Sequence, residues 1–270
     1  MTRPPELTAT TGHERDAPPG GHRPRATAPE IDLAPGVLMV LIVAALLVFG
    51  ATALIAADGT VGGVEQRMFH WINGWPDGLR PLMWVFQLAG VLFVPVALAG
   101  IARWRGRRRL AVALAAIVPL KLLLEHAVVK QLVHRERPGT AICHLDRTCA
   151  RFRGVPLVGL SFVSGHAIIT WSVATLLWPF LPRRWRAVPV AVAIANSVAR
   201  IYLGAHSPLD LVGGAAVGVV LGAGLLLALH AVPALGTSGG RQRRDASSTA
   251  SGSNRDRRVV WRPARRAEDP

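Results

Sequence analysis

Charge is scarce in this chain, and cysteine scarcer still. Only 17% of its 270 residues are Asp, Glu, Lys or Arg, against 51% hydrophobic, and the mean hydropathy is positive at +0.34. So little charge excludes an ordinary soluble domain of this size and points to a polytopic membrane protein. The two cysteines, Cys143 and Cys149, do not form a C-x-x-C pair, which removes thiol-redox and zinc-ribbon readings. There is no soluble second domain and no internal repeat.

Apolar runs take the place of charge. Residues 35–57 and 82–102 are each about long enough to cross a hydrocarbon core of ~30 Å. Residues 110–129 form a third run that contains Lys121, Glu125 and His126, and 167–181 form a shorter fourth that could extend back through 155–165. The last two are 187–203 and 209–235. The expected fold is all-α, a membrane protein with six transmembrane helices.

A net charge of +15 and a pI near 11.7 would suit a nucleic-acid binder, so the placement of the basic residues decides the matter. About two thirds of the 31 Lys and Arg fall in residues 1–34, "RWRGRRR" (103–109), "RRWR" (183–186) and the tail from Gly236. Few lie in 58–81 and 130–166. Basic residues therefore alternate by membrane side, which puts both termini in the cytoplasm and leaves no single patch for nucleic acid. The segments 1–34 and 236–270 have disordered compositions, and the basic tail reads as a solvated topology signal. The first run, with its long basic leader, reads as an uncleaved anchor rather than a signal peptide. A membrane domain is thus expected over 35–235, in the cell membrane. Both cysteines fall outside, where a disulfide is permitted and two free thiols are the alternative.

Six spans with a cytoplasmic N-terminus place four polar groups at one extracytoplasmic face. These are Lys130 and Arg137 after the third span, "SFVSGHA" (161–167) opening the fourth, Arg200 near the end of the fifth, and His206 with Asp210 opening the sixth. Each has an ordinary explanation. Lys130 and Arg137 could snorkel; Ser164 could cap a helix; "SPLD" (207–210) fits a helix start with Ser207 as cap and Pro208 at the first position. Their coincidence on one side is harder to explain that way, because Arg200 stands in an apolar span where a charge is costly without a partner.

Three cations, a helix start and two histidines suit a phosphate ester. Arg137 and Arg200 can grip phosphoryl oxygens in bidentate fashion, Lys130 adds a point charge, and amides around Gly165 add donors aligned with a helix dipole. Fixed cations can stabilise a transferring phosphoryl group, so the chemistry calls for no metal and no cofactor. One imidazole can attack phosphorus while the other protonates the leaving oxygen. Asp210, four residues after His206, could orient that ring and leave His166 as the acid; spacing alone leaves the two roles open to exchange.

These blocks resemble the type 2 phosphatidic acid phosphatase superfamily, which includes lipid phosphate phosphatases and vanadium haloperoxidases. Its three-part signature is carried by "KQLVHRERP" (130–138), "VSGH" (163–166) and "ARIYLGAHSPLD" (199–210). Val163 stands where the family usually has proline and Ala199 where it usually has serine. The resemblance implies His206 as the nucleophile forming a phosphohistidine, Asp210 as its orienter and His166 as general acid. It also implies Lys130, Arg137, Ser164, Gly165 and Arg200 as phosphate ligands, within a six-helix membrane fold over about 35–235.

The expected activity is hydrolysis of a lipid phosphate or diphosphate: phosphatidate, phosphatidylglycerophosphate or an isoprenoid diphosphate such as undecaprenyl diphosphate. The alternatives are a phosphotransferase on the same site and a non-catalytic lipid-binding or transport protein. Arg147, Arg151 and Arg153 are candidates for a second phosphate, or are simply solvated. Lys121 and Glu125 are spaced as a self-neutralising i,i+4 pair. The glycines of "GGAAVGVVLGAG" (213–224) suit close helix packing, and Trp71, Trp75 and Trp84 suit an aromatic belt.

Overall fold

The structure, a computed structural model, describes residues 33–231; the expected disordered segments 1–34 and 236–270 lie essentially outside that range. All regular elements among the described residues are helical. The long α1 (Pro35–Ala56) is followed by α2 (Gly63–Asn73), then α3 (Arg80–Leu88), α4 (Phe93–Trp104) and α5 (Arg108–Leu122). A π-helical segment (Leu123–Val129) continues α5 into the single turn α6 (Lys130–Leu132), and α7 (Pro138–Ala141) is another single turn. After a long connection come α8 (Gly165–Leu177), α9 (Ala187–Tyr202) and α10 (Pro208–Ala231).

Each of the six apolar runs is helical, but they are not six equal spans. Three continuous helices are long and apolar enough to cross a membrane: Pro35–Ala56, Arg108–Leu132 and Pro208–Ala231. A fourth span arises if the pair Asp77–Leu88 and Phe93–Trp104, bent by 55°, counts as one. The bend falls at "AGVL", where a side chain at Gly90 would collide with α8: a Cβ there would lie 2.7 Å from that of His166. At 13 and 16 residues, α8 and α9 rise only about 20 and 24 Å, short of a ~30 Å core.

The segment 58–81, between the first two apolar runs, contains α2. It buries Phe69 and Ile72, three residues apart, and leaves Trp71 exposed. Most of the apolar core lies among α1, α5, α8 and α10, around Leu38, Leu114, Ile117, Ile168 and Leu226. A second cluster, with Phe69, Met83, Tyr202 and Leu203, lies where α2, α3 and the end of α9 meet. Outward-facing Val40, Leu47 and Leu54 of α1 are 69–80% exposed, which suits contact with lipid tails rather than water.

The glycines of α10 serve close packing, as their spacing suggests. A Cβ on Gly214 or Gly218 would lie 2.7 Å from the carbonyl oxygen of Ser164 or Ile168, and one on Gly222 would lie 2.8 Å from that of Ser172. Gly224 faces open space. The small-residue stripe thus lets α10 lie against α8 at backbone distance.

Candidate active site

Backbone hydrogen bonds tie the three polar blocks together. The first and second blocks pair in a short antiparallel bridge, Glu136 with Leu160: Ser161 N–H donates to Arg135 O (2.7 Å) and Arg137 N–H to Gly159 O (3.0 Å). The second and third blocks are joined where Ser164 N–H donates to Asp210 O (3.0 Å). Residues 75 positions apart in the chain are therefore held side by side.

The third block turns sharply between α9 and α10. Gly204, at φ +83°, ends α9, with its N–H on Ile201 O (2.9 Å) and Ala205 N–H on Arg200 O (3.0 Å), the paired bonds of a Schellman stop. A few residues later α10 begins, and Asp210 Oδ2 accepts the Ser207 N–H at 2.8 Å, so a carboxylate at the third position caps its own helix. His206 is fixed between these two devices and is 3% exposed.

Around His206 the expected residues gather. Burial, then the cations of Arg200 and Arg137, hold its imidazole pKa well below the usual value. Arg200 donates to Gln87 Oε1 at 2.6 Å, while its Nε is buried without a partner. Arg137 donates to Ala205 O at 3.2 Å. Ser164 sits at the cap position of α8, yet its side chain makes no cap bond, and its buried Oγ is also unpartnered. Two donors with nothing to bind, beside the start of a helix, leave a place for an anion.

His206 and Asp210 are less directly linked than their spacing suggests. Nδ1 to Oδ2 is 3.6 Å, beyond a hydrogen bond. The Ser161 hydroxyl lies between them, 3.2 Å from Nδ1 and in contact with Oδ2. Asp210 is also held by Arg135 (3.4 Å), which is fully buried and paired on its other side with Glu65 of α2. Glu65 further accepts the Leu209 N–H at 2.8 Å, placing a carboxylate at the N-terminus of α10.

Lys130 is brought in by the π-helical segment. Its Nζ lies 2.6 Å from Glu125 Oε1, an i,i+5 pair. In an α-helix such residues are about 140° apart around the axis; the wider π turn puts them on one side. Glu125 also pairs with Lys121, so the expected self-neutralising pair exists but is part of a triad with a net positive charge. This triad flanks α8: a Cβ on Gly165 would lie 2.7 Å from Lys121 Nζ.

The structure gives the outer arginines another task. Arg153 stacks on Tyr202, 3.9 Å from the ring centroid, and bonds Asp77 (2.9 Å) and the carbonyl of Asn73 (3.0 Å). Arg151 donates to Trp75 O at 3.2 Å. These two hold the long connection onto α2 and α9 and are not spare ligands for a second phosphate, whereas Arg147 is exposed. Cys143 and Cys149 form a disulfide in the same connection. Trp75 and Trp84 are partly buried in the second cluster; Trp71 alone of the three is largely exposed, stacked edge-on against Trp75. Among the described residues, no three His, Cys, Asp or Glu side chains converge as a metal-ligand set.

Glu65, Gln87, Arg135 and Ser161 complete the pocket and were not singled out by sequence. Polar Gln87 in an apolar run and a third cation in the first block were signals for two of them. The helical spacing of Phe69 and Ile72 could have exposed α2, and with it Glu65. Ser161 carried no signal beyond its nearness to Ser164.

A helical membrane protein in which a buried histidine lies among cations, with unpartnered buried donors on Ser164 and Arg200, is the class that fold and site define. Residues 108–233 match the family model of the PAP2 superfamily. The chain is 28% identical over 138 residues to a lipid A 4'-phosphatase of Bacteroides thetaiotaomicron, covering 51% of this chain and 60% of that relative's length. The crystal structure of a transmembrane PAP2-type phosphatidylglycerolphosphate phosphatase from Bacillus subtilis matches 73% of this chain and 98% of its own, at 20% identity and a TM-score of 0.51. That of Aquifex aeolicus LpxE matches 60% of this chain and 93% of its own, at 25% identity and a TM-score of 0.48. The first of these solved structures shares the fold.

Proposed function

We propose that this chain is an integral membrane phosphatase that hydrolyses a lipid phosphate or diphosphate at the extracytoplasmic face, through a phosphohistidine and without a metal. One observation carries the reading. Around a buried, uncharged His206, the Ser164 hydroxyl and the Arg200 Nε have no protein partner, as donors awaiting phosphoryl oxygens would.

In the first step the His206 Nε2 lone pair forms a bond to phosphorus while the bond from phosphorus to the lipid oxygen breaks. His166 gives its proton to that leaving oxygen. In the second step His166 takes a proton from water, whose oxygen attacks the phosphohistidine; phosphate leaves and both histidines return to their starting states. Lys130, Arg137, Arg200, Ser164 and the amides at Gly165 hold the equatorial oxygens throughout.

The extracytoplasmic side is supported by charge. The arginine-dense connections 103–109 and 183–186 lie at the ends of α5, α8 and α9 opposite the site. Outward-facing apolar side chains on the helices favour a lipid substrate over a soluble one.

The test is phosphate release by purified protein from phosphatidate, phosphatidylglycerophosphate, isoprenoid diphosphate and lipid A in mixed micelles, beside His206→Ala and with chelator. Release from at least one lipid, lost in His206→Ala and retained in chelator, is expected. Binding of every lipid without release would leave a non-catalytic protein; transfer to an added alcohol in preference to water would make it a phosphotransferase.

A further inference from the structure

We propose that Ser161 is a positioning residue that links Asp210 to His206 and fixes which ring nitrogen is free to attack. The inference rests on the phosphohistidine reading and deepens it: the serine, rather than direct contact with the carboxylate, aligns the nucleophile.

The distances leave the carboxylate few ways to act on the ring. Asp210 Oδ2 is 3.6 Å from His206 Nδ1, whereas Ser161 Oγ is 3.2 Å from Nδ1 and touches Oδ2. A hydroxyl has one proton to give and lone pairs to accept with. Ionised Asp210 can only accept, so the serine proton points to Oδ2. Ser161 Oγ can then only accept from the ring, which requires the proton on Nδ1. Nε2 is thereby left with its lone pair, the form that can attack phosphorus. When the phosphohistidine forms, the ring gains positive charge, and the same Nδ1–H···Oγ–H···Oδ2 line opposes that charge with the carboxylate.

The surroundings hold Asp210 ready for this. Its Oδ1 faces Arg135, and Oδ2 also accepts the Ser207 N–H. Ser161 and Asp210 are both 0% exposed, so no solvent competes for the hydroxyl. The serine's backbone is held independently by its N–H on Arg135 O, so removing the hydroxyl leaves the segment tied in place.

The experiment is a double-mutant cycle on phosphate release, with wild type, Ser161→Ala, Asp210→Asn and the double variant in mixed micelles, each checked by thermal melting. We expect Ser161→Ala to lower kcat about 10²-fold, as a misaligned nucleophile does, with KM changed less than about threefold. The double variant should be no slower than Asp210→Asn within about threefold, because both changes cut one line. A kcat within about twofold of wild type in Ser161→Ala, an effect on KM alone, or losses that multiply in the double variant would each overturn the proposal while leaving the phosphatase reading intact. Wild-type protein that releases no phosphate from any lipid overturns that reading, and this inference falls with it.

Discussion

At the residue scale the proposed chemistry depends on keeping one imidazole uncharged among cations. Burial first, and then Arg200 and Arg137, push the His206 pKa down. Protonated imidazole cannot attack, so activity is lost only as pH falls through that depressed value. The acid limb of kcat/KM, corrected for titration of the substrate, is therefore expected below the usual imidazole pKa of about 6.5; a limb centred above it would contradict the burial argument. His206→Ala should abolish turnover, and Arg200→Ala should cost about 10²-fold or more in kcat, since it removes a charge aimed at the transferring group. Arg135 poses a different problem. It is 0% exposed between Glu65 and Asp210, and Arg135→Met would leave two carboxylates facing each other without their cation. That change should destabilise the protein by about 3–5 kcal/mol, visible as a lower melting temperature. Glu65→Gln combined with it should recover part of the loss by removing one of the two charges.

At the element scale, the parts of the site that follow chain order were readable and those that depend on helix register were not. Lys130, Arg137, His166, Arg200, His206 and Asp210 could be placed on one face because each stands at a span's end, and topology alone fixes which end. Lys130 with Glu125 could not be paired, because the α-helical period sets them on opposite sides and only the π turn unites them. Glu65 was hidden for a similar reason: a short amphipathic helix outside the spans has too few turns to stand out from a loop. The bend between α3 and α4 falls where Gly90 approaches His166 of α8, a contact that hydropathy does not record. Close packing by α10 was legible in the glycine spacing, its partner α8 was not, and the contact can be tested by contrast. Gly218→Ala places a methyl 2.7 Å from the Ile168 carbonyl oxygen and should lower stability by about 1–3 kcal/mol. Gly224→Ala, which meets nothing within 4 Å, should be neutral or stabilise by up to about 1 kcal/mol. Equal melting temperatures for the two variants would refute the close approach.

At the scale of the whole molecule, a single asymmetry relates charge to chemistry. The connections at one end of α5, α8 and α9 carry dense arginine, whereas the other ends carry the candidate site, the disulfide and the Arg153–Tyr202 clasp. If the positive-inside rule orients the chain, the candidate site faces away from the cytoplasm, and the proposed lipid substrate would reach it from the outer leaflet. A membrane-impermeant maleimide on intact cells decides this. The native cysteines are bonded to each other and do not react, so single cysteines report alone. Arg147→Cys lies in the exposed part of the long connection beside the site, and Trp185→Cys replaces a residue that is 55% exposed in the arginine-dense connection at the opposite end. Arg147→Cys should be labelled before the membrane is opened, and Trp185→Cys only afterwards. The reverse pattern would turn the molecule over and put hydrolysis on the cytoplasmic side. Labelling of both in intact cells would show that the two connections share a face, which six crossings do not allow. The same experiment therefore tests the parity of the short helices α8 and α9 along with the side of the chemistry, because Trp185 stands between them and Arg147 stands before both.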